Sequence, residues 1–327
     1  MKENGLKEIA ARTGYSIVTV KRALGNYPGV SSAAKRRIVD VAQELGYRRK
    51  IEPVDIGIVM PSAPTYFWGI MRDSLMTHAC LSAVQHRFFF FTSMDNETDA
   101  LHCLETAMKH GVRVLIATVP DTPRVRDFLE QCARDCCVIL LEEYLNIERA
   151  YYVGEDAYKE GYALAQAYFQ RCGTQKAVYI YRHRSGCDEK RVQGFLDGAR
   201  SCDAKEPVQF CLDYPGRTKA RAALIARLIQ IHEQEIDCIY CPTGSADTVN
   251  EAVEKLRTSR SIHIIGFDNT EILDGNKTHD RIKLMVWQDL REQGRIAIET
   301  AVEFITTGKL PDEKNLFVED LSRTQLD

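Results

Sequence analysis

Apolar side chains near the start of the chain recur at helical spacing and predict three short helices. The first covers residues 6–12 and the second covers residues 17–24, with Gly14 in the turn between them. Ser31 has the side chain of a helix cap at the start of the third helix, which Gly46 ends. Two helices joined by a tight glycine turn and closed by a third are typical of a helix-turn-helix unit.

The rest of the chain alternates short apolar runs with longer segments of helical periodicity. Runs such as 54–60, 114–118 and 137–141 predict buried strands, and segments such as 97–110 and 157–171 predict helices. Alternation of strand and helix indicates parallel sheets with helices on both faces. We therefore expect a two-lobed α/β body with a ligand site where the strands end, near the junction of the lobes.

The distribution of charge separates the head from the body. The 327 residues carry 43 Lys and Arg against 46 Asp and Glu, a net charge of −3. Residues 1–50 alone carry +7, and the remainder carries −10. A basic head suggests nucleic acid as a partner, because contacts to phosphate supply much of the affinity of proteins for DNA. No apolar run approaches the ~20 residues that span a bilayer, so no membrane association is expected.

The sequence offers no enzymatic motif. It has no Walker A loop, no GxGxxG after a strand and no HExxH pair. We therefore expect no catalytic residue, no cofactor and no bound metal, and we do not expect an enzyme. The start of the chain lacks a secretory signal, so its eleven cysteines are expected to be free thiols in the cytoplasm. For the CxxC pair Cys238 and Cys241, burial as small apolar side chains is favoured over redox or metal chemistry.

The second predicted helix carries side chains suited to the major groove of DNA. Lys21 and Arg22 can donate to guanine or to phosphate. Ile17 and Val18 can contact a thymine methyl group. The alternative is a solvated basic cap that has no role in nucleic-acid binding.

The head resembles the DNA-binding domain of the LacI/GalR family of repressors. The matching stretches are GLKEIA at 5–10, TGYS at 13–16, TVKRAL at 19–24, VS at 30–31 and ELGY at 44–47. Lys21 departs from the family, which usually has serine there, and this changes which bases are expected to be contacted. The resemblance implies a homodimeric, cytoplasmic repressor of an operator in double-stranded DNA. The DNA-contacting residues that it implies are Leu6, Ser16, Ile17, Val18, Thr19, Lys21, Arg22, Asn26, Ser31 and Tyr47.

The body is similar to the periplasmic-binding-protein-like effector domain of the same family. The matching stretches are IGIVMP at 56–61, VGED at 153–156, RVQGF at 191–195, IIGFDN at 264–269 and QD at 288–289. The family usually has a hinge helix with a leucine wedge before this domain. Here Pro53 follows the head closely, so the hinge is expected to be shortened. The expected division is a helix-turn-helix domain at 1–50, a linker at 51–54, and an effector-binding and dimerisation domain at 55–327. Its first lobe is expected at 55–168 with 288–317, and its second lobe at 169–287 with 318–327.

By position, the resemblance places effector contacts at six residues of the body: Phe67, Trp68, Asp156, Arg191, Asp268 and Gln288. These side chains suit a sugar, because carboxylates and an arginine fork bind hydroxyl groups and aromatic rings stack on C–H faces. Other roles are open for three of them. Arg191 could pair with Asp188 or Glu189, Asp268 could cap a helix, and Trp68 could fill the core.

The chemical class of the effector is left open by one departure from the family. The family commonly has Asn-Asp after the strand that ends at Cys241, whereas this chain has PTGSA at 242–246. Thr243 or Ser245 could replace the missing contact, and a nucleobase or nucleoside remains an alternative to a sugar. His183 and Arg184 could meet an anionic group. The rival functions are a solute-binding transport component, which the basic head opposes, and an enzyme on the same scaffold.

Overall fold

The computed structural model of the protein describes twelve segments of the chain, and it begins with a helical head. The described residues are 2–24, 30–45, 54–62, 66–82, 84–182, 186–211, 218–232, 235–244, 246–256, 260–268, 281–319 and 322–325. The head contains α1 (Lys2–Thr13), α2 (Ile17–Leu24) and α3 (Ser32–Glu44). Helix α1 begins four residues before the predicted start, and α2 has the predicted bounds. The core of the head consists of Ile9, Val20, Ala23, Ile38 and Ala42.

Local hydrogen bonds explain why the helices of the head begin and end where they do. Gly14 has a φ of 75°, and its N–H donates to the carbonyl oxygen of Ala10 at 2.9 Å. The hydroxyl of Ser16 accepts from the N–H of Thr19 at 3.1 Å and caps α2. The hydroxyl of Ser31 accepts from the N–H of Ala34 at 3.3 Å and caps α3. The predicted helix-turn-helix is confirmed.

The first lobe contains a six-stranded sheet in which all strands are parallel. Its strands are β1 (Ile56–Pro61), β2 (His86–Phe91), β3 (Val114–Ala117), β4 (Cys137–Leu141), β5 (Tyr151–Gly154) and β11 (Asn315–Phe317). They lie in the order β11-β5-β4-β3-β1-β2. The helices of this lobe are α4 (Tyr66–Leu81), α5 (Glu97–Lys109), α6 (Pro123–Asp135) and α11 (Leu290–Thr307). Two hydrophobic clusters form its core, which explains why β1, β3 and β4 are buried along their whole length.

The second lobe repeats this architecture with one antiparallel edge strand. Its strands are β6 (Val178–Arg182), β7 (Val208–Cys211), β8 (Cys238–Cys241), β9 (His263–Phe267), β10 (Ile282–Trp287) and β12 (Ser322–Gln325). They lie in the order β12-β10-β9-β8-β6-β7, with β12 antiparallel to β10. The helices are α7 (Ala157–Cys172), α8 (Gly186–Ser201), α9 (Thr218–His232) and α10 (Ala246–Lys255). Cys238 and Cys241 are free and fully buried on β8. This agrees with the interpretation of both residues as small apolar side chains. The two-lobed α/β fold is confirmed.

Helix α7 corrects the predicted boundary between the lobes. The prediction placed residues up to 168 in the first lobe. In the structure, Leu164, Tyr168 and Phe169 of α7 pack into the core of the second lobe. The chain therefore crosses to the second lobe between β5 and α7, near Glu155. It returns between β10 and α11 and crosses again between β11 and β12.

Helices α7 and α8 approach each other unusually closely, because glycines lie where they meet. A Cβ atom on Gly161 would lie 2.1 Å from the carbonyl oxygen of Arg191. A Cβ atom on Gly194 would lie 2.0 Å from the carbonyl oxygen of Tyr158. Both neighbours are backbone atoms, so no side-chain rotation could make room. This contact fixes α8, and therefore Arg191, against the segment where the chain crosses between the lobes. None of the described helices is long and apolar enough to span a membrane.

Candidate DNA-recognition helix and ligand cleft

Helix α2 presents the predicted DNA contacts on the face opposite its core side. Val20 and Ala23 are buried, whereas Lys21 and Arg22 are exposed. Val18 is 65% exposed and Ile17 is 37% exposed, so both apolar side chains are accessible on the same short helix. An exposed apolar pair beside two cations on one short helix matches the requirements of base-edge and phosphate contact.

Several other predicted DNA contacts already have structural partners. Leu6 is half-buried and packs against the core of the head. Ser16 and Thr19 have their hydroxyl groups 2.9 Å apart, and Ser31 caps α3. These residues shape the head, and their contact with DNA stays a prediction. Asn26, Tyr47 and the linker at 51–53 with its shortened hinge lie outside the described residues.

A cavity of about 510 Å³ opens between the lobes, where strands of both sheets end. This volume is typical of a small-molecule site. Its described lining from the first lobe is Phe67, Trp68, Met94, Asp95, Glu97, Pro120, Asp121, Thr122, Glu142 and Glu143. The second lobe contributes Cys187, Asp188, Arg191, Thr243, Gly244 and Asp268. Four of the six predicted effector contacts, Phe67, Trp68, Arg191 and Asp268, therefore line one cavity. We call it the cleft.

Arg191 is the central cation of the cleft and is only 4% exposed. Its Nε donates to the carboxylate of Glu155, and its Nη1 donates to the carbonyl oxygen of Pro242 at 2.7 Å. The guanidinium also lies 4.2 Å from the ring centroid of Phe267. Asp188 is a weaker partner, with an N–O distance of 3.9 Å. Of the two structural partners considered from the sequence, Asp188 and Glu189, only Asp188 is seen near the guanidinium, and the main partner is Glu155, which the sequence did not indicate. The Nη2 atom of Arg191 has no hydrogen-bond partner among the described residues.

Asp268 begins a relay of hydrogen bonds that leads from the cleft to the first lobe. Its carboxylate accepts from the side-chain amide of Gln288 at 2.6 Å and from the N–H of Gln288 at 3.2 Å. Gln293 of α11 then donates to the side-chain oxygen of Gln288 at 3.0 Å. Gln288 thus lies behind Asp268 and is not among the described residues that line the cleft. Gln288 therefore positions the carboxylate of Asp268 for the effector contact that the sequence predicts for Asp268.

Asp156 does not line the cleft among the described residues. Its carboxylate accepts from the N–H of Lys159 at 3.1 Å and caps α7. Phe67 and Trp68 do line the cleft and meet edge to face, with ring centroids 4.8 Å apart. Both rings also pack against the hydrophobic core of the first lobe. The interpretation of Trp68 as core filler is therefore compatible with its place in the wall. His183 and Arg184 lie outside the described residues.

The sequence prediction missed two adjacent carboxylates in the first lobe. Glu142 and Glu143 come directly after β4, so they lie at the sheet edge where a site was expected. Glu142 has a φ of 67°, and Asp268, which faces the cleft from the second lobe, has a φ of 46°. Positive φ is strained for such residues and is often retained at binding sites. The position after a buried strand was the signal that could have found this pair.

Two comparisons with known families agree with this geometry. Residues 56–310 match the family described as Periplasmic binding protein domain. Residues 5–50 match the family described as Bacterial regulatory proteins, lacI family. The chain belongs to the periplasmic binding protein domain family, and its head is a lacI-family helix-turn-helix domain. The resemblance found in the sequence is therefore confirmed.

Individual relatives of this protein are distant. The HTH-type transcriptional regulator AglR of Rhizobium meliloti is 32% identical over 93 residues, which cover 26% of each chain. An HTH-type transcriptional regulator of Lachnoclostridium phytofermentans is 21% identical over 259 residues, covering 74% of this chain and 68% of the relative. The match to AglR thus spans about a quarter of that protein's length.

The body of the protein also has relatives among solved structures. The glucose-galactose binding protein GanP from Geobacillus stearothermophilus has a TM-score of 0.72 and 19% identity. The match covers 84% of this chain and 98% of GanP. At this identity the likeness establishes the two-lobed fold.

Burial raises the pKa of several carboxyl groups in and behind the cleft. The pKa of Glu143 is raised to about 8 by burial and by the carboxylates of Asp188 and Asp121, although Arg191 opposes the rise. The pKa of Glu155 is raised to about 7 by burial, again opposed by Arg191. Burial likewise raises the pKa of Glu142. Near neutral pH, Glu142 and Glu143 therefore hold protons in the ligand-free folded protein, whereas Glu155 is ionised above about pH 7 and then pairs with Arg191.

We expect the ligand-free protein to lose stability as the pH rises from about 5 to 8.5. The unfolded chain releases these protons near the ordinary pKa of glutamate, about 4.3, whereas the folded chain keeps them to about 7 and 8. Between those values the folded state binds more protons, so the free energy of unfolding falls with rising pH. Thermal unfolding in matched buffers should show a midpoint temperature at least ~3 °C lower at pH 8.5 than at pH 5. Glu143→Gln should reduce that difference, and an unchanged difference would contradict this assignment.

Proposed function

We propose that this protein is a DNA-binding transcriptional regulator, a repressor, whose operator affinity is set by a small ligand bound in the cleft. The observation that carries the proposal is the combination of two sites in one chain. Helix α2 exposes Ile17, Val18, Lys21 and Arg22 beside a compact core, and the cleft holds a buried arginine among carboxylates. A head of this type with a ligand-binding body is what ligand-controlled transcription requires.

We propose a sugar-like, polyhydroxylated compound as the ligand. Asp268 can accept from hydroxyl groups, Arg191 has an unused donor at Nη2, and the rings of Phe67 and Trp68 can cover a C–H face. GanP, whose body is similar, is described as a glucose-galactose binding protein. The name of GanP supports a sugar as the class of ligand. The acidic lining of the cleft in this chain argues against glucose or galactose as the particular ligand.

A route by which the ligand could act on the head runs through the first lobe. A ligand that binds Asp268 would act on the hydrogen bonds that connect Asp268 through Gln288 to Gln293 of α11. Helix α11 packs closely on α4, where the hydroxyl of Ser74 donates to the carbonyl oxygen of Arg291 at 2.7 Å. Closing the lobes would therefore shift this helix pair. Binding of ligand and binding of operator would then change each other's affinity by the same factor.

We further propose a homodimer that works in the cytoplasm and is not an enzyme. Two heads related by a twofold axis would match the two halves of a pseudo-palindromic operator. Helix α4 exposes the large apolar side chains of Tyr66, Met76 and Leu81, which a second copy could cover. Among the described residues, no group of His, Cys, Asp or Glu is arranged to hold a metal ion.

The second candidate is a solute-binding component of a sugar transporter. The likeness of the body to GanP favours it. That role gives no use to a basic helix-turn-helix head, so DNA binding separates the two candidates. A promoter fragment that carries the operator should be retarded by the regulator and ignored by a transport component.

Operator binding is expected to depend on the cations of α2 and on salt. Lys21→Ala with Arg22→Ala should weaken operator binding at least ~10-fold, because a base or phosphate contact of this kind contributes about 1–3 kcal/mol. The logarithm of affinity should fall linearly with the logarithm of salt concentration, less steeply for the variant. Titrations of labelled promoter DNA at several salt concentrations would measure both quantities.

The matched control is Lys255→Ala, which removes a cation from α10 in the second lobe, where it pairs with Glu251 at 2.6 Å. This variant should bind the operator as the unaltered protein does. If both variants lose affinity equally, α2 is not the recognition helix. If salt leaves binding unchanged, phosphate contacts do not carry the interface.

A further inference from the structure

The described lining of the cleft is strongly acidic. It includes one cationic side chain, Arg191, and seven carboxyl groups. The carboxyl groups belong to Asp95, Glu97, Asp121, Glu142, Glu143, Asp188 and Asp268. A site that binds only neutral hydroxyl groups does not need so many acceptors, because each hydroxyl group also offers a lone pair to a donor.

Two acids at the rim are neutralised from outside the cleft, and a third, Asp95, is exposed to solvent. Glu97 pairs with Arg124 at 2.6 Å, and Asp121 pairs with Arg126 at 2.7 Å. These ion pairs lie at the surface and account for the outer part of the acidic lining. The unexplained charge is therefore in the interior.

The interior acids share a single described cation. Glu142 and Asp268 are each at most 9% exposed, and Glu143 lies beside them. The only cation among the described lining residues is Arg191, which is already paired with Glu155 behind the wall. A buried carboxylate without a cation is costly, so such a group either keeps its proton or receives a positive charge from a ligand.

Two buried atoms in the wall show what a ligand must offer. The Oε2 atom of Glu143 is inaccessible to solvent and has no hydrogen-bond partner among the described residues. The Nη2 atom of Arg191, on a side chain that is 4% exposed, is in the same condition. The first atom needs a donor and the second needs an acceptor. A ligand that satisfies both, in an acidic interior, carries a cationic donor and a neutral oxygen.

We propose that the effector is a polyhydroxylated compound with a protonated amino group, an amino sugar in chemical class. Its ammonium group lies against Glu142 and Glu143, which release a proton to solvent as the positive charge of the ligand takes its place, and a hydroxyl oxygen accepts from Nη2 of Arg191. The rings of Phe67 and Trp68 cover its apolar face. This inference rests on the proposed function, because it names the ligand of the same cleft.

The test compares each amino sugar with its own neutral relatives. Calorimetric titration of the full-length protein at pH 6.5 would use glucosamine, galactosamine and mannosamine, the parent hexoses, and the N-acetylated hexosamines. At least one amino sugar should bind 10-fold or more tightly than both its parent and its N-acetylated form. The three compounds of a set share a ring, so the difference reports the charged nitrogen.

A variant locates the charge within the cleft. Glu143→Gln should weaken the amino sugar at least 10-fold and change the affinity of the parent hexose less than 3-fold. Glu105→Gln, which removes an exposed carboxylate from α5, should leave both affinities unchanged. If Glu143→Gln weakens the binding of the amino sugar and of the parent hexose equally, the assignment of the ammonium group to this carboxylate is overturned.

A second readout separates this inference from the proposed function. Neutral sugars that bind as tightly as their amino forms, or a panel in which nothing binds, would overturn the amino-sugar inference. If a neutral sugar that binds also changes the affinity for operator DNA, the proposed function stands without the inference. If an amino sugar binds with the expected preference and saturation leaves operator affinity unchanged, the cleft is an amino-sugar site as inferred, and the proposed control of operator binding by this ligand is wrong.

Discussion

Replacing Arg191 with alanine should lower the free energy of unfolding by about 3–5 kcal/mol, the loss typical of a broken buried ion pair. The variant would leave the carboxylate of Glu155, 2% exposed, without its cation, and the carbonyl oxygen of Pro242 without its donor. Urea unfolding of the variant beside the unaltered protein measures the loss. Because Arg191 also lines the cleft, response to ligand should disappear while the head still binds operator.

A paired substitution tests whether the stranded charge causes this loss. Arg191→Met with Glu155→Gln removes both charges and keeps similar volumes. The double variant should be clearly more stable than Arg191→Met alone, because no carboxylate then remains unpaired at Glu155. If the double variant unfolds as easily as the single one, packing of the arginine side chain explains its effect and the ion pair does not.

Gly194→Ala should destabilise the body by about 3 kcal/mol, near the upper end of the usual cost of overpacking. The added methyl group would lie 2.0 Å from the carbonyl oxygen of Tyr158, which belongs to the backbone of α7. Helices α7 and α8 would have to separate, and Arg191 on α8 would move with them. Ligand affinity should therefore fall together with the midpoint of urea unfolding.

The matched control is Gly69→Ala in α4. A Cβ atom on Gly69 would meet no heavy atom within 4 Å. Inside a helix the change from glycine to alanine then stabilises by about 0.5–1 kcal/mol. The two substitutions should have opposite signs. A Gly194→Ala protein as stable as the unaltered one would show that the glycines do not set the distance between the helices.

The local elements of this fold could be predicted, because their signals are local. Helix α2 has the predicted bounds since Ser16 supplies the cap and Gly14 the turn. The sheet to which α7 belongs could not be predicted. Periodicity shows that Leu164 and Tyr168 share a buried face, but it does not show which core they enter.

The candidate site divides in the same way. Arg191 and Asp268 were placed by motif and line the cleft, whereas Gln288 lies one step behind it. Glu142 and Glu143 follow a buried strand but belong to no motif, and the sequence alone does not show that this strand end faces the second lobe. The pairing of Glu155 with Arg191 joins residues 36 positions apart. Such a contact depends on how the lobes meet, which the sequence does not reveal.

Neither lobe is a continuous stretch of polypeptide, and this has a consequence for dissecting the protein. Strand β11 completes the first sheet, and β12 completes the second. A fragment cut at Trp287 would deprive the first lobe of α11 and β11 and the second lobe of its antiparallel edge. Either lobe could be produced alone only by rejoining its pieces through new linkers or by circular permutation. A chimaera that takes one lobe from another protein must therefore be joined at all three places where the chain crosses between the lobes.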